Sequence, residues 1–185
     1  MRSIGQSNTI QFPLTEIQTT LKPCSSQGHL VIEVANVLAG PSVGMFFAEW
    51  GAEVIKVENI QTGGDVTRSW KLPSESPEND VSAYFSSVNW GKKSICLDLK
   101  QEEGRAILLR MIPKARFIIS SYKPGQDAKL GIDADKLLKI NPQLIIGQIN
   151  GYGKEVPRPA YDAIIQAEAG FTYMNGLPGK ISKMP

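Results

Sequence analysis

One pentapeptide has the spacing of a serine nucleophile. Gly40-Pro-Ser-Val-Gly44 fits the G-x-S-x-G pattern, in which a sharp strand-to-helix turn exposes the serine hydroxyl. In hydrolases of that kind the activating histidine follows the serine, whereas the only histidine here, His29, precedes Ser42. We therefore interpret the pentapeptide as a helix start built from small residues, where free backbone N–H groups can face an anion.

Basic residues are concentrated in the middle of the chain. Between Lys92 and Lys129 they outnumber the acidic residues, although the net charge of the whole sequence is only +2. That net charge is too small to indicate a nucleic-acid partner. The cluster is typical either of a solvated basic face or of a site for a phosphorylated ligand. The sequence leaves both interpretations open.

Metal, disulfide and membrane chemistry have little support in the sequence. The two cysteines, Cys24 and Cys96, make no disulfide framework, and without a C-x-x-C motif or a Cys/His cluster we expect no metal. Apolar stretches such as residues 106–112 are too short to cross a bilayer. Because no basic-then-apolar signal pattern opens the sequence, we expect a cytoplasmic protein with no membrane partner.

The elements that must position the candidate residues alternate between strand and helix. Leu30–Val34 is a short apolar run typical of a buried strand. Residues 42–50 predict a helix whose first turn suits Pro41, and residues 53–57 predict a second strand. Strand, helix and strand within about 30 residues form a βαβ unit, which implies parallel strands and a right-handed crossover.

The same alternation continues to the end of the chain. Strands are predicted at 94–97, 117–119 and 144–149, and helices at 101–112, 133–140 and 160–174. We interpret residues 59–79 as a long loop in which Gly63-Gly64-Asp65 is a flexible turn. The fold class predicted is α/β with a doubly wound parallel sheet. The sequence has no G-x-G-x-x-G or Walker A motif, so the usual sequence evidence for NAD or ATP binding is missing.

A series of short motifs resembles one known family. No single motif is specific, but the set runs in order and at matching spacing over residues 29 to 185. Its members are Ala39-Gly-Pro41, 47–58, Gly64-Asp65, Thr67-Arg68, Trp70, Tyr84-Phe85, Asn89, 91–94, 97–100, Glu103-Gly104, 123–125, Leu130-Gly131, Asn141-Pro142, 151–153, 159–162 and Gln166-Ala167. The chain resembles the family III CoA transferases, which include formyl-CoA and carnitine CoA transferases.

The resemblance implies a fold, a reaction and partners. The fold is a Rossmann-like large domain, expected over residues 29–185 after a polar leader at 1–28. The implied ligands are coenzyme A or acyl-CoA and a carboxylic acid, and an aspartate would form an acyl-aspartyl intermediate, splitting the transfer into two easier steps. The implied partner is a second copy in an interlinked homodimer or a complementing C-terminal chain.

The resemblance also implies contacts with CoA in the first part of the chain. Val37, Leu38 and Ala39 match a segment that passes the ligand. Asn59 stands where the family often has an arginine, so one phosphate contact is weakened. The segment that would line the adenine and ribose end of CoA is Leu97, Asp98, Leu99 and Lys100.

A second group of implied contacts lies further along. Ser121, Tyr122 and Lys123 match another segment at the adenine end, and Tyr122 could stack on the base. Lys129 stands at a phosphate-binding position usually held by arginine; it keeps the charge but loses the bidentate fork. A loop near the thioester matches Pro159, Ala160, Tyr161 and Asp162, where Asp162 has a supporting role.

Two alternatives remain open beside acyl-CoA transfer. An α-methylacyl-CoA racemase would share the fold and the CoA site. Racemases place a catalytic histidine at the position of Tyr161, and the pKa of a tyrosine lies near 10, which argues against proton shuttling at neutral pH. Measuring α-proton exchange in deuterated water distinguishes a racemase from a CoA transferase. A non-catalytic CoA-binding or interaction protein is the other alternative.

We expect the 185 residues by themselves not to catalyse acyl transfer, because the resemblance places the nucleophilic aspartate just after Pro185 and the family's smaller domain further on. Assays with succinyl-, formyl- and acetyl-CoA as donors measure this directly. Robust turnover by the chain alone contradicts the expectation.

Overall fold

A parallel sheet of five strands organises the chain. The computed structural model describes residues 26–156, 158, 160–175 and 179–180. The strands are β1 (Leu30–Val34), β2 (Glu53–Asn59), β3 (Lys93–Leu97), β4 (Ala115–Ser120) and β5 (Ile145–Gln148). Their order across the sheet is β3-β2-β1-β4-β5, and every pair is parallel. The predicted α/β fold with a Rossmann-like doubly wound sheet is confirmed.

Helices connect the strands. They are α1 (Ala39–Glu49), α2 (Ala83–Asn89), α3 (Glu102–Met111), α4 (Gln126–Lys129), α5 (Ala134–Ile140), α6 (Asp162–Glu168) and α7 (Phe171–Met174). Short 3-10 turns lie at Ile60–Thr62, Val66–Ser69 and Ile112–Lys114. All five predicted strands are present, but α2 and α4 were not predicted.

The single helix predicted over residues 160–174 is wrong. Two short helices, α6 and α7, occupy this stretch, and Gly170 lies between them with a φ of +82°. This left-handed conformation cannot continue a right-handed helix, and it suits glycine because glycine has no Cβ to clash. The apolar spacing of the segment was helical, but the glycine ends the first helix.

Both faces of the sheet are covered, so the strands carry apolar residues on both sides. Ile32 faces a core that includes Leu108 of α3 and Leu137 of α5. Its neighbour Val31 faces the opposite side, where the partly buried Phe47 of α1 packs against it. This alternation follows from the two-residue repeat of a strand.

Helix α1 approaches β1 unusually closely through two glycines. A Cβ at Gly40 would lie 2.2 Å from the Ala35 Cβ, and a Cβ at Gly44 would lie 1.8 Å from a carboxylate oxygen of Glu33. Between them the Ser42 hydroxyl donates to the Leu38 carbonyl at 2.8 Å. The pentapeptide 40–44 is therefore a close-packed helix start.

Replacing Gly44 with alanine should lower the free energy of unfolding by about 3 kcal/mol, because the added methyl overlaps the buried Glu33 carboxylate. Urea denaturation followed by circular dichroism measures the change. Gly147→Ala is the matched control, since its nearest neighbour would be the Ile118 carbonyl oxygen at 3.8 Å, an ordinary contact. Equal effects of the two substitutions would show that α1 does not need the glycine.

Candidate functional site

A cleft opens where β1, β2, β3 and β4 end. Val34, Val57 and Leu97 contribute walls from the carboxyl ends of three strands, and Tyr122 follows the end of β4. The strand order reverses direction between β1 and β4, the point at which open α/β sheets bind their ligands. Among the residues predicted to contact CoA, those lining this cleft are Asn59, Leu97, Asp98, Leu99, Lys100 and Tyr122.

The polar groups of the cleft are largely held in place. Asp98 accepts the Lys100 N–H at 2.9 Å and the Gln61 amide at 3.2 Å. The Asn59 side chain caps the following 3-10 turn by accepting the Gln61 N–H at 3.0 Å. Lys100 is exposed and is the single cation among the described residues that line the cleft. A ligand there meets one exposed positive charge and a polar rim held by hydrogen bonds.

Tyr122 gives the cleft an aromatic wall. Its ring packs against the core beneath the sheet and also faces the cleft. Burial raises the pKa of its phenol, so the side chain is neutral at physiological pH. A neutral ring supported from behind is a suitable surface for a planar base.

The remaining predicted contacts on the β4 side surround the cleft without lining it. The Ser121 hydroxyl accepts the N–H of Asn36, a cleft residue, at 3.3 Å. Lys123 and Lys129 are exposed on the segment that carries α4. Two residues of that segment, Gln126 and Leu130, do line the cleft, which puts both lysines beside it.

The predicted thioester loop lies beyond β5 at the same edge of the sheet. A Cβ on Gly151, which follows β5, would lie 2.0 Å from the Ala160 Cβ. Tyr161 is 71% exposed, and Asp162 opens α6 and accepts a hydrogen bond from the Gln166 amide. None of these three lines the cleft. The predicted contact at Pro159 lies outside the described residues.

The predicted contacts Val37, Leu38 and Ala39 form the link between β1 and α1. Leu38 and Ala39 are exposed at the amino end of the helix. Val37 has a φ of +70°, a left-handed conformation that is an outlier for a β-branched residue. Strained backbone of this kind persists only where the surrounding structure holds it, and it is concentrated at functional sites.

A buried ionic cluster lies beneath this link, on the α1 face of the sheet. The Lys56 ammonium is 1% exposed and contacts Glu33 at 2.9 Å and Asp65 at 3.0 Å. It also donates to the Ala35 carbonyl at 2.7 Å. The interpretation of Gly63-Gly64-Asp65 as a plain flexible turn is wrong for Asp65, whose side chain is fully buried.

Glu58 forms the second half of the cluster. Arg68 donates to its carboxylate from Nε at 2.8 Å and from Nη2 at 2.6 Å, and the Asp65 N–H donates at 2.8 Å. The Ser94 hydroxyl is a further donor. Burial by itself raises the pKa of Glu58, but these hydrogen bonds outweigh it and lower the pKa to about 2. The Arg68 guanidinium in turn lies over the Phe85 ring, 3.9 Å from its centre.

Lys92 belongs to the same cluster, which decides part of the question left open by the basic segment. Its ammonium is 2% exposed and contacts Glu33 at 2.7 Å, so it is not available to a ligand. Burial lowers the pKa of Lys92 to about 8, even though Glu33 favours the charged form. Lys93 pairs with Glu53 at the opposite, amino end of the strands. The basic segment is therefore not one binding surface.

The sequence did contain a signal for this cluster. Lys56 and Glu58 alternate within an apolar strand, and Glu33 interrupts the apolar run of β1. Because parallel strands are buried on both faces, charged residues inside them must be paired. Lys56 and Glu58 lie within the motif segment 47–58, but no role for them followed from spacing alone, and Glu33 lies outside the motif series.

Comparison with known proteins identifies the fold and the family together. The sequence profile of CoA-transferase family III matches residues 27–184. The chain belongs to the family III CoA-transferases. It is 42% identical to the succinate–glutarate CoA-transferase of Agrobacterium fabrum over 89% of this chain. It is 41% identical to the acetyl-CoA:oxalate CoA-transferase of Acetobacter aceti over 82% of this chain.

A solved structure of a related protein has the same fold. The chain superposes on a CAIB/BAIF family protein from Brucella suis with a TM-score of 0.80 and 37% identity. That match covers 89% of this chain and 44% of the other. The chain likewise spans 42% of the Agrobacterium enzyme and 38% of the Acetobacter enzyme. It corresponds to less than half of these family III CoA-transferases.

Among the described residues no helix is long and apolar enough to span a membrane. Within the same residues no three His, Cys, Asp or Glu side chains are grouped as metal ligands.

The buried Glu58 carboxylate should make the stability of this chain depend on acid pH. Its pKa is depressed to about 2 in the folded state, so its contribution is present above about pH 4.5 and is lost as the pH falls towards 2. Glu58→Gln should lower the free energy of unfolding at pH 7 by about 3 kcal/mol, because it leaves Arg68 uncompensated.

Urea denaturation of both proteins between pH 2 and pH 7 measures this linkage. The difference between wild type and Glu58→Gln should shrink as the pH falls below 4.5. Glu78→Gln is the control, since this side chain is exposed in the loop between β2 and α2, and we expect its effect to stay small at every pH. A difference that stays constant with pH would contradict the role given to Glu58.

Proposed function

We propose that this chain supplies the CoA-binding part of an acyl-CoA transferase that moves CoA between carboxylic acids. The observation that carries the proposal is the cleft at the switch point of the sheet. Contacts inferred from three separate segments, represented by Asn59, Lys100 and Tyr122, meet there in one concave surface. The activities of the relatives, succinate–glutarate and acetyl-CoA:oxalate CoA transfer, support the reaction class.

The cleft suits the nucleotide end of CoA. Leu97 and Leu99 provide apolar walls and Tyr122 an aromatic surface, which together can cover an adenine. Lys100 lies at the rim, where its ammonium can reach a ribose phosphate. Lys123 and Lys129 add positive charge beside the cleft. Lacking an arginine at Asn59, the site would bind phosphate through flexible lysines.

The diphosphate and pantetheine would pass the link between β1 and α1. In the described structure the amino end of α1 has neither a side-chain cap nor an acid in its first turn, so its N–H groups can face an anion. The residues exposed there are Leu38 and Ala39. The thioester would then lie towards Tyr161 and Asp162, at the same edge beyond β5.

The proposed reaction uses an aspartate expected after Pro185. Its carboxylate would attack the thioester carbonyl, forming an acyl-aspartyl anhydride and releasing CoA as a thiolate. The thiolate would attack the aspartyl carbonyl and release the first acid, and the incoming carboxylate would then take the CoA by the reverse sequence. We assign Asp162 a supporting role near the thioester. The interlinked homodimer or complementing chain remains a prediction that light scattering measures.

Racemisation has less support than transfer. The position that a racemase fills with histidine is Tyr161, which is 71% exposed. The chain's one histidine, His29, precedes β1 and contacts Phe117 at the opposite end of the strands. Neither side chain therefore places an imidazole at this site.

Lys100→Gln should raise the dissociation constant for CoA about tenfold, because it removes the one cation found among the described residues of the cleft wall. Isothermal titration calorimetry of the purified chain measures the affinity. Lys93→Gln is the matched control: the same substitution on a lysine at the amino end of β3, paired with Glu53. We expect it to leave the affinity within twofold of the wild type.

Two outcomes would contradict the proposal. If the folded wild-type chain does not bind CoA, the proposed function is wrong. Equal losses from Lys100→Gln and Lys93→Gln would show that only the net charge matters and that the cleft is not the site.

A further inference from the structure

We propose that Asp65 is a positioning residue that holds the link Val37–Leu38–Ala39 in the conformation that receives CoA. The inference rests on the proposed function, since it assumes that this link passes the ligand. Asp65 itself is 2% exposed and does not line the cleft, so it would act on the ligand through the backbone of Val37.

Every described group around the Asp65 carboxylate is a donor. The Val37 N–H lies 3.1 Å from one oxygen and 3.3 Å from the other. Thr67 donates its N–H at 3.1 Å and its hydroxyl at 2.9 Å, and the Lys56 ammonium lies at 3.0 Å. A carboxylate can accept from all of them, because it has two oxygens and no hydrogen of its own.

The strain at Val37 explains why such a contact is needed. With a φ of +70° a β-branched side chain is crowded against its own backbone, a conformation that costs on the order of 1–3 kcal/mol. A charge-assisted hydrogen bond from the Val37 N–H to a buried carboxylate is of comparable strength. The Asp65 contact can therefore offset the strain and keep the link in place.

The cluster holds both sides of the contact. Lys56 donates to the Ala35 carbonyl at 2.7 Å, two residues before Val37. On the other side Glu58 accepts the Asp65 N–H at 2.8 Å, and the Ser82 hydroxyl donates to the Thr67 carbonyl at 2.6 Å. The loop after β2 is thereby fixed against β1. Its geometry sets where α1 begins and where the exposed backbone of the link faces.

Asp65→Asn tests the inference because an amide must place an NH₂ group against donors. If the NH₂ group replaces Oδ1, it faces the N–H and hydroxyl donors of Thr67. If it replaces Oδ2, it faces the Val37 N–H and the Lys56 ammonium. We expect Asp65→Asn to weaken CoA binding about tenfold by calorimetry. Affinity for adenosine 3′,5′-bisphosphate, which lacks pantetheine and the diphosphate, should change less than twofold, because the walls of its cleft, such as Leu97 and Leu99, belong to the opposite, apolar face of the sheet.

A second substitution separates positioning from general damage. Glycine adopts a positive φ without strain, so Val37→Gly in the Asp65→Asn background should recover at least threefold of the lost CoA affinity. Ile112→Val, a conservative change in the core at the amino end of β4, controls for lost stability and should leave CoA affinity unchanged. If Asp65→Asn does not fold, Asp65→Asn with Lys56→Met replaces it, because no unpaired buried cation then remains.

The outcomes distinguish the two proposals. A wild-type chain that binds neither CoA nor the bisphosphate overturns the proposed function and this inference with it. A wild type that binds CoA, together with an Asp65→Asn variant of equal affinity, overturns the inference alone. So does a loss that affects both ligands equally or that Val37→Gly does not rescue.

Discussion

The buried ammonium of Lys56 between two carboxylates is the interaction on which the rest of the structure depends. Moving a charge out of water is costly, and it is tolerated only where partners surround it. Glu33 from β1 and Asp65 from the loop after β2 are those partners. The requirement links two neighbouring strands and the loop after β2 through side chains. Removing Lys56 takes from the buried Asp65 carboxylate the ammonium that it contacts, whereas Glu33 keeps its contact with Lys92.

The two faces of the sheet therefore differ in chemical character. The face covered by α3 and α5 is apolar and ends in the cleft, so its walls can meet the flat part of a ligand. The face under α1 becomes ionic towards the carboxyl ends of the strands, where Glu33 and Lys56 lie. The strained backbone of Val37 lies between the buried ionic cluster and the open cleft. Such preorganisation lowers the cost of ordering a long, flexible ligand.

The sequence determined the elements with local signals. Apolar runs such as Leu30–Val34 predicted the strands, and the spacing of strand, helix and strand predicted the parallel order. Helices of seven residues or fewer were predicted less well: α2, capped by the Ser82 hydroxyl, was missed, and Gly170 divided a helix predicted as continuous. Short helices have few hydrogen bonds of their own, so tertiary packing decides whether they form.

By itself, the sequence determined the fold class, the family and the set of residues at the carboxyl ends of the strands, because all of these follow from order and spacing along the chain. Only the tertiary structure decided which of those residues share one cleft and which charges are removed from solvent. Lys92 and Lys100 look alike in the sequence, yet one is enclosed with Glu33 and the other is open to a ligand. The physical reason is that desolvation depends on what surrounds a side chain in three dimensions, and chain neighbours do not reveal it.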